Sequence, residues 1–570
     1  MMLSGNPVSE GIAIGPLYLY RPFHPHVQEA FCASAEAELE RFLRVKTQAL
    51  DEIHLLLERM AEDAEKAKIF ASHEDVLNDP AMEAEIASAI REKRWCGDWA
   101  LWSVFEAFIR MLEQVSDPLI RERAADLKDV RNRLLRLWLG EAEQNLSALP
   151  GPVVIACHDL LPSDTATLDR ENVLAIVTET GGTTSHSAII ARSYALPAVL
   201  GVSGLLRYAE PGAQAVVDAV AGTIILGATQ QEQAEYGEKL RRFTAEAERT
   251  KAFLNAEPRM ADGTYIELGL NIASPDAPLP GGGASIDYVG LFRTEFLYMG
   301  RSTLPGEEEQ FEAYRRVLTA MKGKPVTLRT LDIGGDKSSE CLPLPKEENP
   351  FLGNRALRLC FSMPELFRVQ LRAALRASIY GNLWLMLPMV GGMDDILKAK
   401  DIIASVRAEL AAEGKPVADG MKTGIMIEIP SIALMADKAA REVDFASIGS
   451  NDLCQYLTAT DRGNPLVSAY YQSYHPALFR IIAMAAEAFH REGKPIGICG
   501  ELGGDALAVP VLIGLGLRKL SMGAASVAKV KQILGRLTLA HAQALSAAVC
   551  ESPDAQEAEA LMRAWSDRFR

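Results

Sequence analysis

The sequence predicts a multidomain α/β protein. Its C-terminal part closes into a (β/α)₈ barrel, and its N-terminal part is a small α/β domain interrupted by an inserted α-helical domain. Three observations carry this prediction. Beyond residue 259, eight short apolar runs alternate with amphipathic helical stretches. From about residue 33 to 140 the pattern is helical and densely charged, and β-like runs stand on both sides of that stretch. A chain of 570 residues has room for about three or four domains.

Each element follows in order. "GIAIGPLYLY" near the N-terminus is a short β-like run. In "AEAELERFLRVKTQALDEIHLLLERM", Leu39, Phe42, Leu43, Leu50, Ile53 and Leu57 recur at three- and four-residue steps, which draws one apolar stripe along a helix. Similar stretches continue to "RNRLLRLWLG", after which β-runs return in "GPVVIACHDL", "VLAIVTE", "AVVDAV" and "TIILGA". The economical reading is a helical domain over 21–143 inserted into an α/β domain over 1–20 and 144–228. Segment 229–254 is polar, helical and free of proline, as suits a linker helix within 229–258. Over 259–570 the eight runs are 265–272, 286–296, 326–333, 383–390, 423–430, 445–452, 494–502 and 519–524. Buried strands alternating with helices imply a parallel sheet, and eight repeats imply closure.

Composition bounds the function. Hydrophobic residues make up 48% and charged residues 24%, ordinary for a globular protein with sizeable cores. A net charge of -16 argues against nonspecific binding to nucleic acid or anionic membranes and suits a basic protein partner. The N-terminus lacks the basic flank and apolar stretch of a signal peptide, and the most apolar run, 506–517, is too short to span a bilayer. The eight cysteines are scattered without a CxxC pair, so reduced thiols in a cytoplasm are expected.

Several barrel runs turn polar near their C-terminal ends, at Asn271, Arg293, Arg329, Glu428, Asn451, Asp452 and Cys499. Barrel enzymes build their sites at that face. Arg293 and Arg329 carry planar forks suited to phosphate or carboxylate oxygens. Glu428 and Asp452 come from adjacent strands and, with ligand oxygens, could complete the coordination of Mg²⁺. They could equally be salt-bridge partners of the arginines. Arg462, in "TATDRGNP", could bend back over the site. A phosphorylated carboxylic acid would engage all of these groups. "GGDKSS" at 334–339 fails as a nucleotide-binding loop because its GK[ST] is broken, which leaves the small anion itself as phosphate donor. A different feature is "GGTTSHSAIIAR", where His186 stands as a Gly-rich turn feeds a helix. A lone histidine there is more often structural than reactive.

Together with "SEGIAIG", "RERAADLKDVRNRLL", "VGLFRTEFLYM", "RTLDIGGDK", "ENPFLGNRALR", "IEIPSI", "IGSNDLCQY", "DRGN" and "GICGELGGD", that stretch carries a resemblance. The chain resembles Enzyme I of the bacterial phosphoenolpyruvate-dependent phosphotransferase system, essentially end to end. The barrel motifs are shared with pyruvate phosphate dikinase and phosphoenolpyruvate synthase, but the chain has no room for their nucleotide-binding domain. The resemblance implies that the N-terminal α/β domain swivels and that His186 takes the phosphoryl group of phosphoenolpyruvate. It implies that Arg293, Arg329, Asn451 and Arg462 hold the substrate, that Glu428 and Asp452 hold Mg²⁺, and that Cys499 protonates the enolate to give pyruvate. Lys337 and Arg355 are second contributors. Thr165 or Thr184 would fix the tautomer of His186, and Arg192 would help bind the phosphoryl group.

It further implies transfer onward to a histidine of the carrier protein HPr, docked on the helical domain, and a homodimer formed through the barrel. Segment 73–86 offers Glu74, Asp75, Asp79, Glu83 and Glu85 beside Val76, Leu77 and Met82. Acidic residues around an apolar patch suit a basic carrier, and a solvated helix face looks much the same. The chain departs from the family pattern at Asn354, Ser450 and Cys454, and Cys454 raises the question of oxidation beside a metal ligand. A dikinase-like enzyme and a regulatory protein that keeps the fold are the alternative readings.

Overall fold

The computed structural model describes the chain apart from residues 22, 24, 26, 60–63, 115–117, 142–145, 147, 148, 161–163, 165–167, 182–185, 195, 278, 300, 302, 336, 338, 340, 343, 346, 569 and 570. The side chains of 58, 59, 64–69, 113, 114, 118–122, 125, 186, 189, 193, 247, 465 and 468 also lie outside the description. The chain forms two compact units, Met1–Glu246 and Ala247–Arg570.

The first unit contains a mixed eight-stranded sheet. Its strands are β1 (Met2–Ser4), β2 (Asn6–Ser9), β3 (Ile12–Leu19), β4 (Val153–Cys157), β5 (Val173–Thr178), β6 (Ala198–Leu200), β7 (Gln214–Asp218) and β8 (Thr223–Leu226). The order is β1-β8-β7-β3-β4-β5-β6-β2. Strand β3 pairs in parallel with β4, from Leu17 opposite Val154 to Leu19 opposite Ala156. Neighbours in the sheet are thus separated in sequence by the whole helical segment, which is how an insertion looks in three dimensions. That segment holds the helices Ala35–Arg59, Ala64–Leu77, Pro80–Glu92, Gly97–Gln114 and Pro118–Leu139. They close over their own core, which includes Phe42, Val45, Ile53, Phe70, Ile90, Leu101, Phe105, Leu134 and Trp138. The predicted stripe holds except at one position. Phe42 and Ile53 are buried and Leu39, Leu50 and Leu57 pack against the core partly buried, but Leu43 is 51% exposed, and Val45 and Ala49 complete the buried face in its place. Beyond β8 the helix Gln230–Ala252 carries the chain past the division between the two units.

The second unit is a closed barrel of eight parallel strands: β9 (Glu267–Ile272), β10 (Tyr288–Arg293), β11 (Val326–Arg329), β12 (Leu383–Leu387), β13 (Lys422–Ile427), β14 (Phe445–Ile448), β15 (Ile496–Ile498) and β16 (Lys519–Met522). Seven of the eight predicted runs contain one, and β13 begins one residue before its run. The side-chain period of two sorts each strand. Leu328, Leu385, Leu387, Ile425, Ile427, Ala446, Ile448 and Ile498 join the large core that includes the helices. The alternate residues Leu291, Trp384, Met386, Met426, Phe445 and Cys499 form a separate inner cluster. By the same parity, Asn271, Arg293, Arg329 and Glu428 belong to the inner set at or just beyond the C-terminal ends of β9, β10, β11 and β13. Among the described residues, no single helix is long and apolar enough to cross a membrane.

Candidate active site

Arg329 closes β11 with its guanidinium buried. It pairs with Glu295 Oε1 and, at 3.0 Å, with Asp332 Oδ2. Lys337 Nζ shares both anions, 3.0 Å from Glu295 Oε1 and 2.6 Å from Asp332 Oδ2. Arg355 completes the set, 2.9 Å from Asp332 Oδ1 and 3.2 Å from Asp452 Oδ1. Arg462 reaches Asp452 Oδ2 at 3.6 Å. Asp332 is fully buried. Burial opposes its ionisation, but Arg329, Lys337 and Arg355 outweigh that and hold it well below the usual carboxylate range. Arg355 can approach because residue 334 is glycine. At φ +112°, a Cβ there would stand 2.4 Å from the Arg355 Cβ. Arg293, half-buried at the end of β10, has no ion-pair partner among the described residues. It is a cation free to take an anion.

The two candidate metal ligands differ. Asp452 lies in the first turn of the helix Ser450–Leu457, which follows β14 after the single residue Gly449, rather than on a strand. Both of its oxygens face guanidinium groups. Glu428, one residue past β13, is 1% exposed and makes no salt bridge among the described residues. Its Oε1 accepts the Met389 N–H at 2.6 Å, and its Oε2 is buried without a partner. Burial, then the charges of Asp452 and Asp332, push its pKa up to about 8 against the pull of Arg329 and Arg355. The salt-bridge alternative therefore holds for Asp452 and fails for Glu428. A buried carboxylate oxygen with no donor, close enough to Asp452 to be acted on by its charge, fits a hard divalent cation. No group of three or more candidate ligands occurs among the described residues, so Mg²⁺ here would take the rest of its shell from substrate and water.

Cys499 follows β15 in the inner cluster. Its Sγ is 3.7 Å from the Ile448 carbonyl, and Arg329, Arg293 and Glu428 all act on its charge. Burial pushes the thiol up to about 11, so it is a protonated acid at neutral pH. Asn451 Oδ1 accepts the Glu501 N–H at 3.1 Å, which ties it to the loop after Cys499. Cys454 is buried, its thiol pushed up to about 11 by burial, with Sγ 3.5 Å from the Gln472 carbonyl. A shielded, protonated thiol is a poor target for oxidation.

His186 opens the helix His186–Ser193 in the first unit, beyond the ends of β4 and β5. Its side chain, Gly182, Thr165 and Thr184 lie outside the described residues. Gly181 takes φ +99°, a left-handed backbone suited to glycine. The following Ser187 is buried and donates to Asp159 Oδ1 at 3.2 Å. Arg192 Nε donates to the Val8 carbonyl at 2.9 Å, so that nitrogen holds strand β2.

The acidic patch on the helical segment is less apolar than the sequence suggested. Leu77 and Met82 are buried in the helical core. Asp79 caps the helix Pro80–Glu92 by accepting from Ala81 and Met82. Glu74 pairs with His54 and Glu83 with Lys46, which leaves Asp75 and Glu85 exposed. A helical period places Leu77 and Met82 inward whenever their acidic neighbours face out.

Glu295, Asp332 and the Met389 amide were not singled out by sequence reasoning. Asp332, three residues after Arg329 and beyond the strand, is the one with a readable signal.

Three family models match successive parts of the chain. They are those of the PEP-utilising enzyme N-terminal domain over residues 4–123, its mobile domain over 149–222, and its PEP-binding domain over 247–539. Fold and site thus define a PEP-utilising enzyme. Phosphoenolpyruvate-protein phosphotransferases of Listeria monocytogenes, Geobacillus stearothermophilus and Bacillus subtilis are 42%, 42% and 41% identical to it. They match over 99%, 98% and 98% of this chain and 99%, 97% and 99% of their own. The chain belongs to the phosphoenolpyruvate-protein phosphotransferase family.

Proposed function

We propose that the protein transfers the phosphoryl group of phosphoenolpyruvate to its own His186 and then to a histidine of a carrier protein of the HPr type, releasing pyruvate as the first step of a sugar phosphotransferase system. The observation that carries this reading is the polar ring on the inner face of the barrel mouth. It combines a free cation, Arg293, with an orphaned carboxylate oxygen on Glu428 and a protonated thiol on Cys499.

The residues divide the work. Arg293, Arg329 and Arg462 bind the anionic oxygens of the substrate, with Asn451 as a neutral contact. Lys337 and Arg355 act through Asp332, which shares its charge among three cations. Glu428 and Asp452 would hold Mg²⁺, which when bound supplies positive charge to substrate oxygens. His186 lies in one unit and these groups in the other, so the two meet during turnover, with helix Gln230–Ala252 as their covalent connection. A neutral imidazole at a helix start is a nucleophile whose protonation the helix dipole disfavours. Its nitrogen bonds to phosphorus while the bond from phosphorus to the enol oxygen breaks. The electron pair left on the enolate takes the proton of the Cys499 thiol at carbon, and the thiolate regains a proton from solvent.

Domain assignments follow this division: 1–20 and 144–228 bear the phosphohistidine, 21–143 binds the carrier, 229–258 links, and 259–570 binds phosphoenolpyruvate. Exposed Asp75 and Glu85 offer charge to a basic carrier. Leu434, Leu466, Tyr470 and Met484, each at least 50% exposed on the barrel unit, support a homodimer formed there. The test is incubation with labelled phosphoenolpyruvate and Mg²⁺, followed by a panel of carrier proteins. Label should appear on the enzyme with one pyruvate released per phosphoryl group, then move to a carrier. Labelling by ATP in the absence of phosphoenolpyruvate would contradict it.

A further inference from the structure

Asn271 is one of the polar strand ends that the proposed chemistry does not use. It lies on the inner parity of β9, and β16 separates β9 from β15 in the barrel. Its Nδ2 nevertheless reaches across β16 to the main-chain carbonyl of Cys499, at 2.9 Å. From the intervening strand, Ser521 Oγ donates to Asn271 Oδ1 at 2.6 Å. The amide has only one workable orientation. A carbonyl can only accept, so Nδ2 must face Cys499, and the serine hydroxyl is then the donor to Oδ1. Space for Ser521 is made by glycine at 290, where a Cβ would stand 2.3 Å from Ser521 Oγ. The Cys499 amide is held too, donating to the Ile448 carbonyl at 3.1 Å. Both main-chain polar groups of Cys499 are therefore anchored, one to the neighbouring strand and one by a side-chain relay from two strands away.

We infer that Asn271, oriented by Ser521, is the positioning residue that fixes the Cys499 thiol over the enolate carbon. The inference rests on the reading of Cys499 as proton donor. Cys499 stands one residue past its strand, its thiol packed in the inner cluster with Sγ 3.7 Å from the Ile448 carbonyl, and proton transfer to carbon demands a close, aligned acid. Asn271 moves no proton itself. It sets where the S–H bond points.

The experiment separates the protonation half-reaction from binding and phosphoryl transfer. Exchange of pyruvate methyl protons with deuterated solvent is followed on phosphorylated enzyme with Mg²⁺, beside phosphoenolpyruvate affinity and single-turnover labelling. In Asn271→Ala, exchange should fall about 10- to 100-fold, the scale of a misplaced reacting group, with affinity and labelling rate unchanged. Asn271→Asp keeps the size and the acceptor but loses the donor, and should fall likewise. Ser521→Ala, with the amide still present, should fall less. In a Cys499→Ser background, Asn271→Ala should add no further loss. If Cys499→Ser slows exchange while Asn271→Ala and Asn271→Asp do not, the positioning role is overturned and the thiol assignment stands. If Cys499→Ser itself exchanges at the wild-type rate, the thiol assignment fails and this inference with it. Equal losses in affinity, labelling and exchange would make Asn271 a general support of the barrel and overturn the inference.

Discussion

Glu428 takes its hydrogen bond from the amide of Met389, a residue held at φ +53°. A left-handed conformation is uncommon outside glycine and persists only where its surroundings enforce it. Here it aims an N–H at one carboxylate oxygen and leaves the other, Oε2, for a different partner.

That arrangement sets a pH dependence. Burial, then Asp452 and Asp332, raise Glu428 from 4.5 to about 8, so between those values the folded state binds a proton that the unfolded state has lost. The group's contribution to stability is full below the lower value and is lost as pH rises towards about 8. In metal-free protein, Glu428→Gln should therefore narrow the fall in Tm between pH 5 and 8. Adding Mg²⁺ to wild type near pH 7 should release a proton, seen calorimetrically in buffers of different ionisation enthalpy. The Gln variant should release none from this group. Identical profiles in both proteins would make Glu428 a bystander.

Asp332 has the opposite sign. Its carboxyl is held well below 3.8, so its stabilisation is present above that value and is lost only as pH falls through the lower folded value. Asp332→Asn leaves three cations without their shared anion. Breaking a buried pair costs about 3–5 kcal/mol, which urea unfolding at neutral pH should report. The difference from wild type should shrink only at strongly acid pH.

Arg293 gives a binding test. A lysine there keeps the charge but loses the planar fork, so Arg293→Lys should raise KM for phosphoenolpyruvate about tenfold, equivalent to about 1.4 kcal/mol, with Tm unchanged because no ion pair is broken. An unchanged KM would remove Arg293 from the substrate site.

Cys499 divides the chemistry. Cys499→Ser substitutes a far weaker acid of similar size. Turnover to pyruvate should drop by roughly 10²–10⁴-fold, the range of general acid catalysis, while phosphoenolpyruvate affinity stays. The reverse reaction should fall with it. Wild-type turnover would return the thiol to the inner cluster as packing.

The barrel was legible because strands buried on both faces read as short apolar runs, and each of the eight predicted runs falls on a strand. Their ends were less so. Runs 423–430 and 445–452 extend past β13 and β14, because Glu428 already belongs to a loop and Asp452 to a helix that starts after the single residue Gly449. In the first unit, β1, β2 and β6 went unread. β1 and β2 are largely exposed and carry no apolar run, and β6 is three residues between Pro197 and Gly201. Arg329, Glu428 and Cys499 could be named because each sits at a strand end where the inner parity turns polar. Glu295 could not, since a counter-ion is defined by what the fold brings beside it. The reach of Asn271 across a strand to Cys499 is likewise tertiary.

The central claim is that His186 receives the phosphoryl group. The most direct measurement is labelling of wild type and His186→Ala by labelled phosphoenolpyruvate with Mg²⁺, with acid and base stability of the label and mapping of the modified residue. Wild type should carry acid-labile, base-stable label on His186, and the variant should carry none and transfer none to a carrier while still binding phosphoenolpyruvate. Label on another histidine, or undiminished labelling of His186→Ala, would contradict the account.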